Sequence, residues 1–269
     1  MDKYIAFIGA GSIAEAIIAG LVRSGIIDKS QLTVTNRNDY ERLQQLKERY
    51  QMNIIHDKED LINHSDIIFL AVKPNDIEQA IQPIKKYLRR EQLIISVTAG
   101  VSTTAIQEFV GLTIPIIRAM PNTSASIGYS ATALCTGAYV TEEHLKVGVQ
   151  LFNTIGTTVV VDEAEMHLVT ALSGSGPAYI YYVVEAMEKA AVEAGMDEKT
   201  AKQLINQTVL GAGEMLNQSK ETAVELRKKI TSPAGTTEAG IHILEQNDFQ
   251  KMVVDCIYAA RDRSLELGK

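Results

Sequence analysis

An apolar run, Tyr4 to Ile8, passes directly into Gly9-Ala10-Gly11-Ser12-Ile13-Ala14, and helical spacing follows. Glycines spaced in this way between a strand and a helix leave few folds open. Gly9 permits the tight turn, Gly11 lets backbone approach a pyrophosphate, and the small Ala14 lets helix and strand pack closely. Phosphate charge then meets the unpaired N–H groups of a helix start. The alternative is a plain glycine turn. The position of the pattern after the first strand of the chain favours dinucleotide binding by Gly9, Ala10, Gly11, Ser12 and Ile13. The stretch from Tyr4 to Val22 is mostly apolar, yet it holds Glu15 and two glycines with only Lys3 as a basic flank. That argues against a signal peptide or a membrane span.

Further strands are expected over Leu32–Thr35, Asp66–Val72, Gln92–Thr98, Ile114–Met120, Ser130–Cys135 and Thr157–Val161. Near-continuous apolar runs of this kind suit parallel strands covered on both faces. Helical patterns over Tyr40–Tyr50, Asp76–Tyr87 and Thr141–Ile155 lie between them, the second capped by Asn75 or Asp76. The fold class that follows is α/β, a doubly wound Rossmann-type sheet. From about Asp162 strand-like runs stop. Glu163–Leu172, Ala178–Ala194, Glu198–Asn217, Glu221–Ile230 and Asp248–Leu267 read as helices. The expected division is therefore a dinucleotide-binding domain, 1–162, and an all-α domain, 163–269, for substrate binding and oligomerisation. The segment Tyr179 to Val184 is apolar on every side, and a helix domain of this size lacks the bulk to cover it. A homo-oligomer, a dimer or a multiple of dimers, is expected through these helices.

At the tip of the second strand an NAD enzyme places an acidic side chain on the ribose hydroxyls. Here the tip reads Thr33-Val34-Thr35-Asn36-Arg37. Arg37 offers a bidentate donor to a 2′-phosphate, and Asn36 a further hydrogen bond, which points to NADPH. In the competing reading Arg37 is solvated and Asp39 takes the acidic role, so NADH stays open as the alternative donor. Ala71, Val72, Lys73 and Pro74 end one strand, and Thr98 and Ala99 end the next, at the edge where doubly wound sheets bind ligands.

A net charge of -7 disfavours nucleic acid and anionic membrane as partners. Cys135 and Cys256 stand far apart and outside any metal or redox spacing, which fits a reducing, cytoplasmic setting. His56, His64, His144, His167 and His242 have no metal-ligand spacing, so no metal is expected. The acidic residues of Asp162–Glu165 read as surface and helix-start charges. Two glycine–hydroxyl motifs remain. In Leu172-Ser173-Gly174-Ser175-Gly176-Pro177 the structural reading has Ser175 as a cap and Pro177 opening a helix. In Thr231-Ser232-Pro233-Ala234-Gly235-Thr236-Thr237 hydroxyls stand beside the free N–H groups of the next helix start, a site for an anion.

Taken together these segments, with Arg118-Ala119-Met120-Pro121-Asn122-Thr123, resemble the pyrroline-5-carboxylate reductases over nearly the whole chain. The resemblance implies reduction of 1-pyrroline-5-carboxylate to L-proline by NADPH or NADH, with subunits interlocked through the helices, and it adds Asn122 to the cofactor residues. It also implies that Ser232, Gly235 and Thr236 hold the substrate carboxylate and that Thr237 donates to the ring nitrogen. A cyclic imine is basic enough to be partly protonated near neutral pH, so positioning and one hydroxyl donor suffice without a dedicated acid. The family usually has glycine at Ala234, proline at Ser124 and His-Pro at Thr222-Ala223; Ala234 fits if its φ is negative. A related imine or hydroxyacid oxidoreductase is an alternative, though Ala178–Glu188 lacks the lysine an alcohol oxidation would use. A non-catalytic NADP-binding paralogue is another.

Overall fold

A computed structural model describes residues 1–267 of the chain. The run after Tyr4 forms β1 (Ile5–Ile8), every residue of which is buried. The elements that follow are α1 (Ser12–Ser24), β2 (Leu32–Thr35), α2 (Tyr40–Tyr50), β3 (Asn53–Ile54), α3 (Lys58–Asn63), β4 (Ile67–Leu70) and α4 (Ile77–Ile81). Then come β5 (Leu93–Ser96), α5 (Thr103–Val110), β6 (Ile116–Met120), β7 (Ser130–Thr136), α6 (Glu142–Phe152) and β8 (Gly156–Val160). The strands lie in the order β3-β2-β1-β4-β5-β6-β7-β8. The first six are parallel, in the order of the Rossmann fold.

Strand residues point alternately to the two faces, and each face has its own core. Phe7, Phe69, Ile95 and Ile117 pack with Ile17, Leu21, Leu43, Leu151 and Phe152. Phe7 stacks on Phe69 with ring centroids 4.6 Å apart. Ala6, Ile8, Ile68, Leu70 and Ile94 face the other way, onto Leu61, Ile62, Ile77, Ile81, Ile106 and Val110.

Several expectations need correction. β7 runs antiparallel to β6, and β8 lies parallel to β7. A parallel neighbour needs a crossover of a dozen or more residues, and Pro121–Tyr129 is too short for one. The helix expected over Asp76–Tyr87 is short, and Asp76 makes no capping bond with its side chain. Pro83 has no N–H to continue the ladder, and a tight turn at Lys85–Tyr87 follows. β3, α3 and α5 were not expected. α3 and α5 are nonetheless capped by side chains, Asp57 and Ser102, each accepting from a backbone N–H at the third helical position.

The remaining helices are α7 (Met166–Val169), α8 (Gly176–Glu193), α9 (Glu198–Gln218), α10 (Ala223–Lys229), α11 (Thr236–Gln246) and α12 (Phe249–Leu267). The sequence reading placed a helix start after the Thr231–Thr237 motif but gave α11 no range, because its first turn is Thr236-Thr237 and Gly240 lies inside it. Between α7 and α8 the chain makes a π turn, Thr170–Gly174, in which Ser175 N–H reaches back to the Thr170 carbonyl at 2.9 Å. Ser175 therefore does not cap α8 as expected; the helical path runs through this motif. The described residues divide into two compact units, Met1–Pro177 with the chain from Tyr258 onward, and Ala178–Ile257. No residue of α8 is buried, and Tyr182 is 76% exposed. The apolar face expected to need cover is not covered within its own unit.

Candidate active site

The first part of the site is built at the β1–β4 switch point. Gly9 has a φ of 108°, and a Cβ there would lie 2.2 Å from the backbone oxygen of Ala71. Only glycine fits this turn. Gly11 is the N-cap of α1 and has no side-chain bond, and the first intrahelical donor is Glu15. The N–H groups of Ser12, Ile13 and Ala14 thus have no acceptor within the helix, as a pyrophosphate needs. Glu15 in that first turn would repel an anion, but Arg42, Arg49 and Tyr50 all donate to its carboxylate. Burial alone would raise its pKa; these partners outweigh it and hold the carboxyl below its ordinary value. Arg42 also bonds the Ala10 carbonyl at 3.0 Å and so fixes the glycine turn.

A cleft of about 650 Å³ opens beside this turn, lined by Gly9, Gly11, Asn36, Arg37, Ala71, Val72 and Lys73. Ala10 and Ser12 line a second depression that shares Gly11 and Asn36 with it. Most of the residues named from the sequence for the cofactor are therefore brought together. The cleft also takes in Tyr40, His56 and Lys58, which sequence reasoning missed. Tyr40 and His56 meet edge to face, 5.0 Å between centroids. The signal for them was weak, because His56 and Lys58 follow a two-residue strand that no apolar run announces.

Asn36 is tied into its own loop: its amide donates to the Asp39 carbonyl and accepts from the Asp39 N–H. Asp39 caps α2 by accepting from Arg42 N–H at 2.9 Å, which commits the carboxylate that the competing reading set against the ribose. Arg37 is exposed, and one of its donors reaches Gln79 at 2.9 Å, with the rest of the guanidinium free to turn to a ligand. Removing it in Arg37→Ala should weaken NADPH by about 1–3 kcal/mol and leave NADH nearly unchanged. Cofactor titration by nicotinamide fluorescence checks this, and equal losses for both cofactors would count against a role at the 2′-phosphate.

Thr98 is buried and braces two strand ends, its hydroxyl donating to the Val72 carbonyl at 3.2 Å. Pro74 opens a tight turn with Lys73 as its N-cap, and Ala99 is half-buried beyond β5. Neither Thr98, Ala99 nor Asn122 lines the cleft described above. Asn122 sits past β6 and is tied on every side. Its amide oxygen accepts from Ser124 N–H and its nitrogen donates to the Ser173 carbonyl at 3.0 Å. Pro177 has no N–H to offer that carbonyl four residues back, so Asn122 supplies the missing donor. Nearby, Glu163 accepts from the N–H and hydroxyl of Thr103, at 2.7 and 2.5 Å, and faces buried Arg118 at 3.5 Å. It is not the plain surface charge expected. Burial, and then the Arg118 charge, push the His167 pKa down. Among the described residues no cluster of three His, Cys, Asp or Glu side chains is placed to hold a metal.

The glycine–hydroxyl loop leads into α11. Gly235 N–H donates to the Ser232 carbonyl at 3.0 Å. With Pro233 second and Ala234 third, this is the pattern of a type II turn, which requires positive φ at its third residue. Ala234 indeed has a φ of 55°, so the negative value assumed for it is wrong. The strain is about 1–2 kcal/mol for a non-glycine residue. Glu238 accepts from Ala234 N–H at 2.8 Å and helps hold the turn. A Cβ on Gly235 would fall 2.6 Å from the Ser232 hydroxyl, so that hydroxyl lies directly against the helix start. Gly235 is the N-cap and lacks a side-chain bond. Ser232 and Gly235 therefore close one turn and Thr236 and Thr237 begin the helix that follows it, with uncapped N–H groups beside the Ser232 hydroxyl and Thr237 half-buried. Such a turn can bind a carboxylate. Thr222, another departure from the family pattern, caps α10 in a reciprocal box with Glu225.

Comparison with known proteins matches both parts. Residues 163–267 match the family described as pyrroline-5-carboxylate reductase dimerisation, and residues 4–100 match that described as NADP oxidoreductase coenzyme F420-dependent. The chain is 45% identical to pyrroline-5-carboxylate reductase 2 of Bacillus subtilis, over 98% of this chain and 95% of that one. A pyrroline-5-carboxylate reductase structure from Coxiella burnetii superposes with a TM-score of 0.93 at 35% identity, covering all of both chains. A pyrroline carboxylate reductase from Plasmodium falciparum, solved with NADP bound, gives a TM-score of 0.88 at 31% identity, over 100% of this chain and 99% of that one.

Proposed function

The chain belongs to the pyrroline-5-carboxylate reductase family, and on that premise we propose that it reduces 1-pyrroline-5-carboxylate to L-proline with NAD(P)H, the final step of proline biosynthesis. The observation that carries this reading is the 45% identity held over 98% of the chain. Bound at the glycine turn and its cleft, NADPH would supply the hydride. The ring carbon of the C=N bond would receive that hydride, and reduction would also need a proton at the ring nitrogen.

The residues of the chain bind and position. The N–H groups of Ser12, Ile13 and Ala14 take the pyrophosphate, and Gly9 gives it room. Arg37 takes the 2′-phosphate, with Asn36 shaping its loop. Ala71, Val72, Lys73 and Pro74 border the cofactor from β4, while Thr98 and Asn122 brace the strand ends behind it. Ser232, Gly235 and Thr236 hold the substrate carboxylate, and the Thr237 hydroxyl donates to the ring nitrogen as charge changes there. Cofactor binding by 1–162 and substrate binding by 163–269 is the division of labour in this reading. The test is NADPH oxidation on adding pyrroline-5-carboxylate, with proline identified as product. No oxidation would leave a cofactor-binding paralogue.

The open face of α8 supports a homo-oligomer formed through the helices, in a cytoplasmic enzyme with neither membrane nor nucleic acid as partner. Tyr182→Glu together with Val183→Glu should yield monomers or insoluble protein, because charge replaces an apolar contact surface. Sedimentation showing a soluble oligomer of unchanged size would refute this interface.

A further inference from the structure

Taking an ammonium group partly out of water is costly unless something offsets it. Lys58, the first residue of α3, is half-buried and in no salt bridge among the described residues. Burial pushes its pKa below the ordinary lysine value, with only the Asp57 charge opposing. The Asp57 carboxylate is committed elsewhere, accepting from Asp60 N–H at 2.8 Å to cap α3. Lys58 makes one hydrogen bond, from Nζ to the Thr35 hydroxyl at 2.7 Å. An ammonium has three donors, so two are left for a ligand.

The place of that ammonium decides what the ligand is. Thr35 is the last residue of β2, and its carbonyl accepts from Gly9 N–H at 2.8 Å. Lys58 Nζ therefore stands at the strand tip where an NAD-binding protein sets a carboxylate against the ribose hydroxyls. A cation at this point inverts the preference. It lines the same cleft as Asn36 and Arg37. The pyrophosphate is served by the start of α1, which leaves the ribose 2′-phosphate as the anion nearest the tip of β2.

We propose that Lys58 is a specificity-determining residue whose ammonium, with the Arg37 guanidinium, binds the 2′-phosphate of NADPH. The assignment rests on the reading of this cleft as the nucleotide site. Binding of NADPH and of NADH, followed by nicotinamide fluorescence, tests it in the purified full-length protein without substrate. Lys58→Met should weaken NADPH roughly ten- to a hundredfold and change NADH less than about twofold, while Lys58→Arg restores most of the loss. Lys58→Gln keeps a donor for Thr35 and removes the charge, so it separates a brace from a phosphate ligand. It should lose NADPH as the methionine variant does. Wild-type NADPH affinity in Lys58→Gln, or equal losses for both cofactors, would overturn the proposal while leaving the cleft as the nucleotide site. A wild-type protein that binds both cofactors equally would overturn the 2′-phosphate reading of the cleft, and Lys58 with it.

Discussion

Thr237→Val should leave the protein folded and its NADPH affinity unchanged while lowering kcat roughly a hundredfold or more. Valine keeps the shape of threonine and removes its donor. Thr237 is half-buried in the first turn of α11, two residues beyond Gly235, against which the Ser232 hydroxyl lies. A hydroxyl there stands next to the group proposed to fix the carboxylate, where the ring nitrogen of a bound imine would lie. Removing one donor of this kind costs about 2–4 kcal/mol of transition-state stabilisation. Ser232→Ala should behave differently and raise KM more than it lowers kcat, because the carboxylate is held alike in ground and transition states. Steady-state kinetics of both variants with pyrroline-5-carboxylate separate the two roles. A wild-type kcat in Thr237→Val would remove this residue from the chemistry.

Gly9→Ala is expected to be the most damaging single methyl group in the cofactor half. It meets two obstacles at once, the φ of 108° and the Ala71 backbone oxygen 2.2 Å from the new Cβ. Neither can yield alone. Gly9 N–H is bonded to Thr35 O at 2.8 Å and Ala71 N–H to Ile8 O at 2.9 Å, so the ends of β1, β2 and β4 move together or not at all. Backbone strain of about 1–3 kcal/mol adds to a comparable overpacking cost. The sum approaches half the stability of an ordinary domain. Urea unfolding should show a markedly lower midpoint, and NADPH binding should be lost in whatever folds. An unchanged midpoint with normal cofactor affinity would mean that the turn has more room than the contact with Ala71 allows.

The Rossmann half was legible because buried strands write apolar runs, and seven of its eight strands were named from the sequence. β3 was hidden because two residues, Asn53 and Ile54, carry no period at all. The antiparallel turn of β7 was legible in principle, through the shortness of Pro121–Tyr129, but its residues look like those of any buried strand. The cleft residues next to glycines were named from the sequence, since the role proposed for them is a backbone one with a fixed spacing. Lys58 was not, because it reaches the cleft from a separate short helix and only the fold brings it to Thr35. Ala234 misled for a related reason. Conformation at the third residue of a turn is dictated by the hydrogen bond that closes it, and alanine advertises no positive φ. The hydroxyls of Ser232 and Thr237 were legible as a motif, whereas their roles in chemistry came from the family resemblance.

The bond from Asn122 to Ser173 makes the two segments answerable to each other. Replacing Pro177 by a residue with an N–H would offer a second donor to a carbonyl whose two lone pairs can take both, whereas replacing Asn122 alone would take a donor away. A compensated exchange, in which a helix-forming residue at 177 arrives together with a smaller apolar side chain at 122, is the change the backbone would accept. In sequence the positions are far apart, yet a relative that has lost the asparagine should be searched first for a changed proline.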